Sequence, residues 1–163
     1  MNKLIATAVA ALIGASATFA AEPEHAMSRQ DDVARKGASV MPFDLARTTH
    51  FFDDKPSGGI QTITANDPRD ARQTALIRAH LAAEAKRFGG GDFSDPAQIH
   101  GQAMPGLAEL ARAGDKLQVR YAKIPGGASL TFTSRDPGVA AAVHAWFGAQ
   151  RSDHAAHTHL HHP

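Results

Sequence analysis

The sequence predicts an α+β domain: a four-stranded antiparallel sheet made from a duplicated ββα unit, with helices on one face and a helical insert between the units. Three observations carry this. The chain repeats itself at an offset of 69 positions, with Ile63-Thr64-Ala65-Asn66-Asp67-Pro68 answered by Phe132-Thr133-Ser134-Arg135-Asp136-Pro137. The same offset matches Phe52 with Tyr121, Pro56 with Pro125, Gly58 with Gly127 and Thr62 with Thr131. Second, apolar and polar residues alternate with the period of a half-buried strand on both sides of a Pro/Gly turn. Third, each hairpin runs into Asp-Pro, a helix-start signal: the carboxylate accepts from first-turn amides, and proline lacks only a donor the helix does not need there.

The strands are clearest in the second unit. Leu117, Val119 and Tyr121 alternate with Gln118, Arg120 and Ala122, and Leu130 and Phe132 alternate with Ser129, Thr131 and Thr133. Carried back by the offset, this pattern turns Gln61 and Ile63 inward. It sets His50 where the second unit has Val119, so His50 is expected to face the core. The turns Lys55-Pro56-Ser57-Gly58-Gly59 and Ile124-Pro125-Gly126-Gly127 supply the residues a tight reversal needs. A first helix is expected over 68–88 with Gln73, Ile77, Leu81 and Phe88 inward and His80 at the stripe's edge. A second is expected over 137–152 with Val139, Val143, Trp146 and Gln150 inward and His144 well off that stripe.

The parts around this frame follow. Residues 1–20 read as a signal peptide, with Asn2-Lys3, an apolar run from Leu4 to Phe19, and a cut after Ala20. The run is too short to span a membrane, so no membrane anchor is expected after cleavage, and the location is periplasmic or secreted. Residues 21–40 read as a tether holding a short helix from Ser28 to Gly37, and Met41-Pro42-Phe43 opens the domain, 41–152. Its units are 48–88 and 117–152. The insert, 89–116, holds a short helix from Pro105 to Ala113 that ends at Gly114. A histidine-rich tail, 153–163, closes the chain.

Composition excludes several classes. Loss of Lys3 takes Lys and Arg from 17 to 16, equal to the 16 Asp and Glu, so the mature chain has neither a nucleic-acid groove nor a basic membrane patch written into its charge. The chain has no cysteine, hence no disulfides and no thiolate ligands. Its ten histidines are the one excess.

Met41-Pro42-Phe43-Asp44-Leu45 with Thr48-Thr49-His50, Ile99-His100-Gly101 with Met104-Pro105-Gly106-Leu107, and His144-Ala145-Trp146-Phe147 with Asp153-His154 together resemble a family of small exported bacterial proteins of unestablished function. Members of that family carry the label aspartate carbamoyltransferase. The resemblance covers about 41–154. The carbamoyltransferase motifs themselves are missing. Arg47-Thr48-Thr49 is a fragment of the Ser-x-Arg-Thr phosphate loop, and there is no His-Pro-x-Gln. The mature chain is about half the length two substrate domains require.

Metal ligands are the main chemical candidates. His154, His157, His159, His161 and His162 form a cluster of imidazoles on a short tract, a composition that binds zinc, copper or nickel. His100 and Met104 pair a nitrogen donor with a soft thioether, which suits copper; the plain alternative is that Met104 fills core. His50, one inward position of the sheet, and His80, at the helix margin, are expected to meet His100 and Met104 if the insert folds over the same edge. Covalent catalysis has little support, since there is no cysteine and no Gly-x-Ser-x-Gly elbow. Asp92, Asp95 and His100 with Ser94 make an alternative acid/base group, and no catalytic residue is assigned. The reading is therefore a periplasmic protein that handles copper or zinc through histidine and methionine, more a binder than an enzyme. A small-molecule or haem module with a pocket at Phe52, Tyr121 and Trp146 is the alternative. A homodimer through the threonine-rich sheet face is conceivable, and no nucleic-acid partner is expected.

Overall fold

The computed structural model describes residues 22–154. The expected signal peptide and the tail histidines His157, His159, His161 and His162 lie outside the described residues. The fold is α+β. Strands β1 (Thr48–Lys55), β2 (Gly58–Ala65), β3 (Gln118–Ile124) and β4 (Gly127–Thr133) form one sheet in the order β1-β2-β4-β3, every neighbour antiparallel. The central pair sets Gln61 opposite Leu130. Those two positions are equivalents under the 69-residue offset, as a twofold relation between the units requires. Gly58 and Gly127, also equivalents, open the two central strands. A Cβ on Gly58, which sits at φ 142°, would stand 2.2 Å from the Phe132 carbonyl oxygen, and one on Gly127 would stand 1.9 Å from that of Ile63.

Among the described residues five α-helices accompany the sheet: α1 (Glu22–Val40), α2 (Ala71–Gly89), α3 (Ser94–His100), α4 (Leu107–Ala111) and α5 (Pro137–Asp153). The two long helices of the units cross over. α2 packs chiefly on β3 and β4, and α5 on β1 and β2. Each also ties off the other unit's turn. Arg78 of α2 donates to the carbonyls of Ile124 and Gly127 at 2.8 and 3.0 Å, while His144 Nε2 of α5 lies 2.9 Å from those of Lys55 and Gly58. His144 thus has a flanking segment as its partner. Between sheet and helices Phe88, Phe93, Phe132, Trp146 and Phe147 pack as one aromatic cluster, with Phe88 stacked on Phe93 at 4.6 Å between ring centres. The other sheet face carries half-buried Thr62, Thr64, Ser129, Thr131 and Thr133.

Three boundaries differ from expectation for physical reasons. The tether is a 19-residue helix that lies on the domain, with Val33 buried and Gly37 inside it rather than ending it. A Cβ at Gly37 would meet Leu45 Cδ1 at 3.1 Å, so the small residue allows close packing instead of a stop. At the first Asp-Pro, Asp67 caps only a turn by accepting from Arg69 N, and α2 starts later under Asp70, whose side chain accepts from Gln73 N at 3.0 Å. The second Asp-Pro behaves as expected, with Asp136 accepting from Gly138 N and Val139 N. The insert carries α3 as well as a shorter α4. Gly106, at φ 77°, brings its backbone so close to α5 that a Cβ would stand 2.1 Å from the Ala142 carbonyl oxygen.

Candidate functional site

The site lies where α1, β1, β2, α2, α3 and the end of α5 meet. A cavity of about 40 Å³ there is lined by His50, His80, His100 and His154, by Glu84 and Asp95, and by Gln61, Trp146 and Gln150 among apolar neighbours. At ~10–15 Å³ of such space per water, it has room for about three water-sized particles.

Each imidazole arrives by a separate route. His50 comes from the inward row of β1 and is 3% exposed, as the repeat predicts. His80 comes from the margin of α2. His100 ends α3, because Gly101 at φ 94° stops that helix just beyond it. His154 is the C-cap of α5 and is 5% exposed, so the structure takes it out of the tail and into the core. The His154 ring centre lies 5.4 Å from that of His50 and 5.0 Å from that of His100. Phe43 stands edge-on to both His50 and His80, at 6.0 and 5.6 Å between centres.

His100 is held by a buried carboxylate. Its Nδ1 lies 2.8 Å from Asp153 Oδ2, and Asp153 also accepts from Arg29 of α1 at 2.7 and 2.8 Å. Burial works against the Asp153 charge, but the hydrogen bonds from Arg29 and His100 outweigh it and hold the carboxyl below its ordinary range. Asp153 therefore stays an acceptor, Nδ1 of His100 carries the proton, and Nε2 keeps its lone pair. Burial lowers the pKa of both His80 and His100 from the ordinary imidazole value; Asp95 opposes this at His80, and Asp153 at His100.

Glu84 is the most perturbed carboxyl. It is 4% exposed, and burial first, then the neighbouring Asp95, push it up to about 7 against the pull of Arg87. Arg87 binds Glu84 Oε1 at 3.3 Å, Asp95, Asp92 at 2.9 Å and Ser94 Oγ at 2.7 Å, which pins the start of α3 to α2. Ser94 Oγ donates to Asp92 at 2.6 Å, and His100 is engaged with Asp153. Asp92, Ser94 and Asp95 thus serve Arg87, and among the described residues the hydrogen-bond partners of Ser94 Oγ are Arg87 and Asp92.

Two further polar atoms matter. Among the described residues, Trp146 Nε1 and Gln61 Oε1 are buried without a hydrogen-bond partner, and both side chains line the cavity. Of the other expected site residues, Phe52 lines the cavity, whereas Tyr121 packs half-buried on β3 away from it. Met104 is 5% exposed within the apolar core and is absent from the cavity wall, which is the plain reading of a methionine. Among the described residues, no three His, Asp or Glu side chains stand as they are in an arrangement that would hold a metal ion.

Sequence reasoning missed Glu84, Gln61 and Asp153. Two of them were within reach. Glu84 falls on the Ile77, Leu81, Phe88 stripe of α2, where a carboxyl is out of place. Gln61 occupies the position that Leu130 fills in the second unit. Comparison of the chain with family models, with curated proteins and with solved structures gives no match.

Proposed function

We propose that this is an exported protein that binds one copper(II) or zinc ion through His50, His100 and His154, with His80 as a further donor in the same cavity. The observation that carries this is the spacing around His154. With metal–nitrogen bonds of about 2.0–2.1 Å, two imidazoles on one tetrahedral ion have ring centres about 5 Å apart. The His154–His50 and His154–His100 separations are 5.4 and 5.0 Å. Loading then asks for ring rotation about side-chain torsions within a cavity that has room for it, not for movement of the elements. The Asp153–His100 contact supports the reading, since a carboxylate on Nδ1 orients an imidazole for metal at Nε2 and raises its basicity. So do the lowered pKa values of His80 and His100, which leave neutral imidazole at neutral pH.

The ligand set is nitrogen with carboxyl oxygen nearby. Met104 stands apart and Met41 is a thioether in the cavity wall, but the donors are mainly imidazole nitrogens, which suit copper(II) or zinc. Pockets that take drug-sized molecules run to ~300–1,000 Å³. At about 40 Å³ the cavity favours an ion over haem. The histidine tail begins directly after His154 in the sequence, in keeping with capture and delivery of the ion at that end.

The test is retention after dialysis, read by elemental analysis. Full-length protein and a full-length form with His157, His159, His161 and His162 changed to serine are loaded with copper or zinc. Both are expected to keep an ion in the cavity, and His154→Ala in the serine form to lose it. No metal retained by the serine form at micromolar concentration overturns the reading.

A further inference from the structure

The sheet has one face under the helices and one face outside them. On the outer face the outward residues form rows that cross the strands in the order β1-β2-β4-β3. One row reads Asp53, Ile60, Thr131, Arg120, and the next reads Phe51, Thr62, Ser129, Ala122. Ile60, Thr62, Ser129 and Thr131 are half-buried, while Asp53, Arg120 and Ala122 are exposed. An acid thus ends a row on one outer strand, and a base ends the same row on the other. Three strand spacings separate them, ~14 Å, longer than the ~8 Å screening length in physiological salt, so the two charges do not answer each other within one copy. Lys55 reaches Asp53 at 2.6 Å, but with side chains 47% and 61% exposed this is a surface pair of little strength. Arg120 makes no ion pair among the described residues.

We propose that this face docks a second copy of the chain, face to face, about a twofold axis that runs parallel to the strands between β2 and β4. That axis lays β1 of each copy over β3 of the other and keeps each residue's height along the strands. Asp53 then meets Arg120 of the second copy at both edges, and Phe51 meets the small Ala122. At the centre Ile60 lies on Thr131, and Thr62 on Ser129. A twofold axis across the strands would instead lay β1 on β1, with Asp53 near Asp53 and Arg120 near Arg120, so charge selects the first arrangement. Packed sheets sit ~10 Å apart and cross at ~30°, which shifts residues ~7 Å from the axis by about 4 Å, within reach of an arginine. The face measures ~19 Å by ~23 Å, about 440 Å², against ~800 Å² per partner in standard interfaces. The dimer therefore belongs to the weak, exchanging class. The histidine cavity lies under the opposite face of the sheet, so this dimer does not depend on the metal reading.

The test is sedimentation equilibrium of the full-length chain from about 1 μM to about 1 mM, in a chelator so that no metal bridges the histidine tails. The expected result is a monomer–dimer equilibrium with a Kd of tens to hundreds of micromolar that weakens as salt rises. Asp53→Arg alone sets arginine against arginine at both edges, and Arg120→Asp alone sets aspartate against aspartate. Each is expected to weaken the dimer about tenfold or more. An equal mixture of the two variants pairs opposite charges at both edges, and so does the double variant with itself. Both are expected to return to within about threefold of the wild-type Kd. The two positions are exposed, and unchanged melting temperatures report that the variants fold. A wild-type chain that stays monomeric at about 1 mM overturns the proposal. So does a dimer that the single variants leave unchanged, or one that the mixture fails to restore.

Discussion

At the scale of single residues, the cavity's chemistry turns on two carboxyls with opposite tasks. Asp153 is held ionised by Arg29 and His100, and its oxygen fixes the His100 ring. Outer-shell carboxylates of this kind are worth about 10–100-fold in metal affinity. Asp153→Asn is therefore expected to weaken copper or zinc binding by about that factor, measured by competition with a chelator, while Met104→Leu leaves binding unchanged. Glu84 works the other way. The unfolded chain releases this proton near pH ~4.3, whereas the folded protein keeps it to about 7. Between those values the folded state binds more protons, so the contribution of Glu84 to stability is complete below pH ~4.3 and is lost as pH rises through the folded pKa. His80 and His100, lowered from their ordinary value, slope the opposite way: their contribution is present above pH ~6.5 and is lost as pH falls. In the metal-free protein the two trends oppose each other just below pH ~6.5. Glu84→Gln removes one of them. Thermal melts of that variant at pH 5, 6, 7 and 8 should show stability rising toward pH ~6.5, with a gain over the wild type on the order of 3 kcal/mol at pH 8.

At the scale of elements, the helix starts separate what a motif says from what the chain does. Asp-Pro caps α5 directly, but at the first unit the same pair makes a turn and Asp70 takes over the cap of α2. Asp70→Ala should cost about 1 kcal/mol, while Asp67→Ala, at an exposed turn, should change denaturant midpoints little. Arg47, which pairs with Asp70 at 2.5 Å, adds to the first effect. The strands were legible because alternation and the offset agree residue by residue, and the inward turn of His50 followed from that. The extent of α1 was not legible. Its outer turns are polar all round, and what holds it is distant in sequence: Val33 against the domain and Arg29 on Asp153. Helix α3 was missed for a related reason. Its Asp95-Pro96 reads locally as a turn, and Arg87 of α2 secures it from outside. The convergence of His50, His80 and His100 on one cavity was readable only as a geometrical expectation. The burial of His154 depends on α5 running through Asp153, one residue into what composition marks as tail, with His154 as its C-cap.

At the scale of the whole molecule, the two halves are unequal in one respect. They share strands, turns and crossover helices, and they meet at Gln61 opposite Leu130. Inward positions that are Val119 and Leu130 in the second unit are His50 and Gln61 in the first. The second unit thus shows what the frame does when packing alone decides, and the first shows polar groups kept in the core beside the cavity. An orphaned buried acceptor costs roughly 1–3 kcal/mol. Gln61→Leu copies the second unit's residue, fills similar volume and removes the Gln61 Oε1 orphan. It is expected to raise the melting temperature by about 3–8 °C. Gly127→Ala is the control on the same central pair: its Cβ would stand 1.9 Å from the Ile63 carbonyl oxygen, so it should destabilise with no bearing on the cavity's polarity. A fall in melting temperature for Gln61→Leu would mean that the amide supports the fold. A rise would mean that the first half carries a destabilising residue for the sake of its site, as expected where function and stability compete for one position.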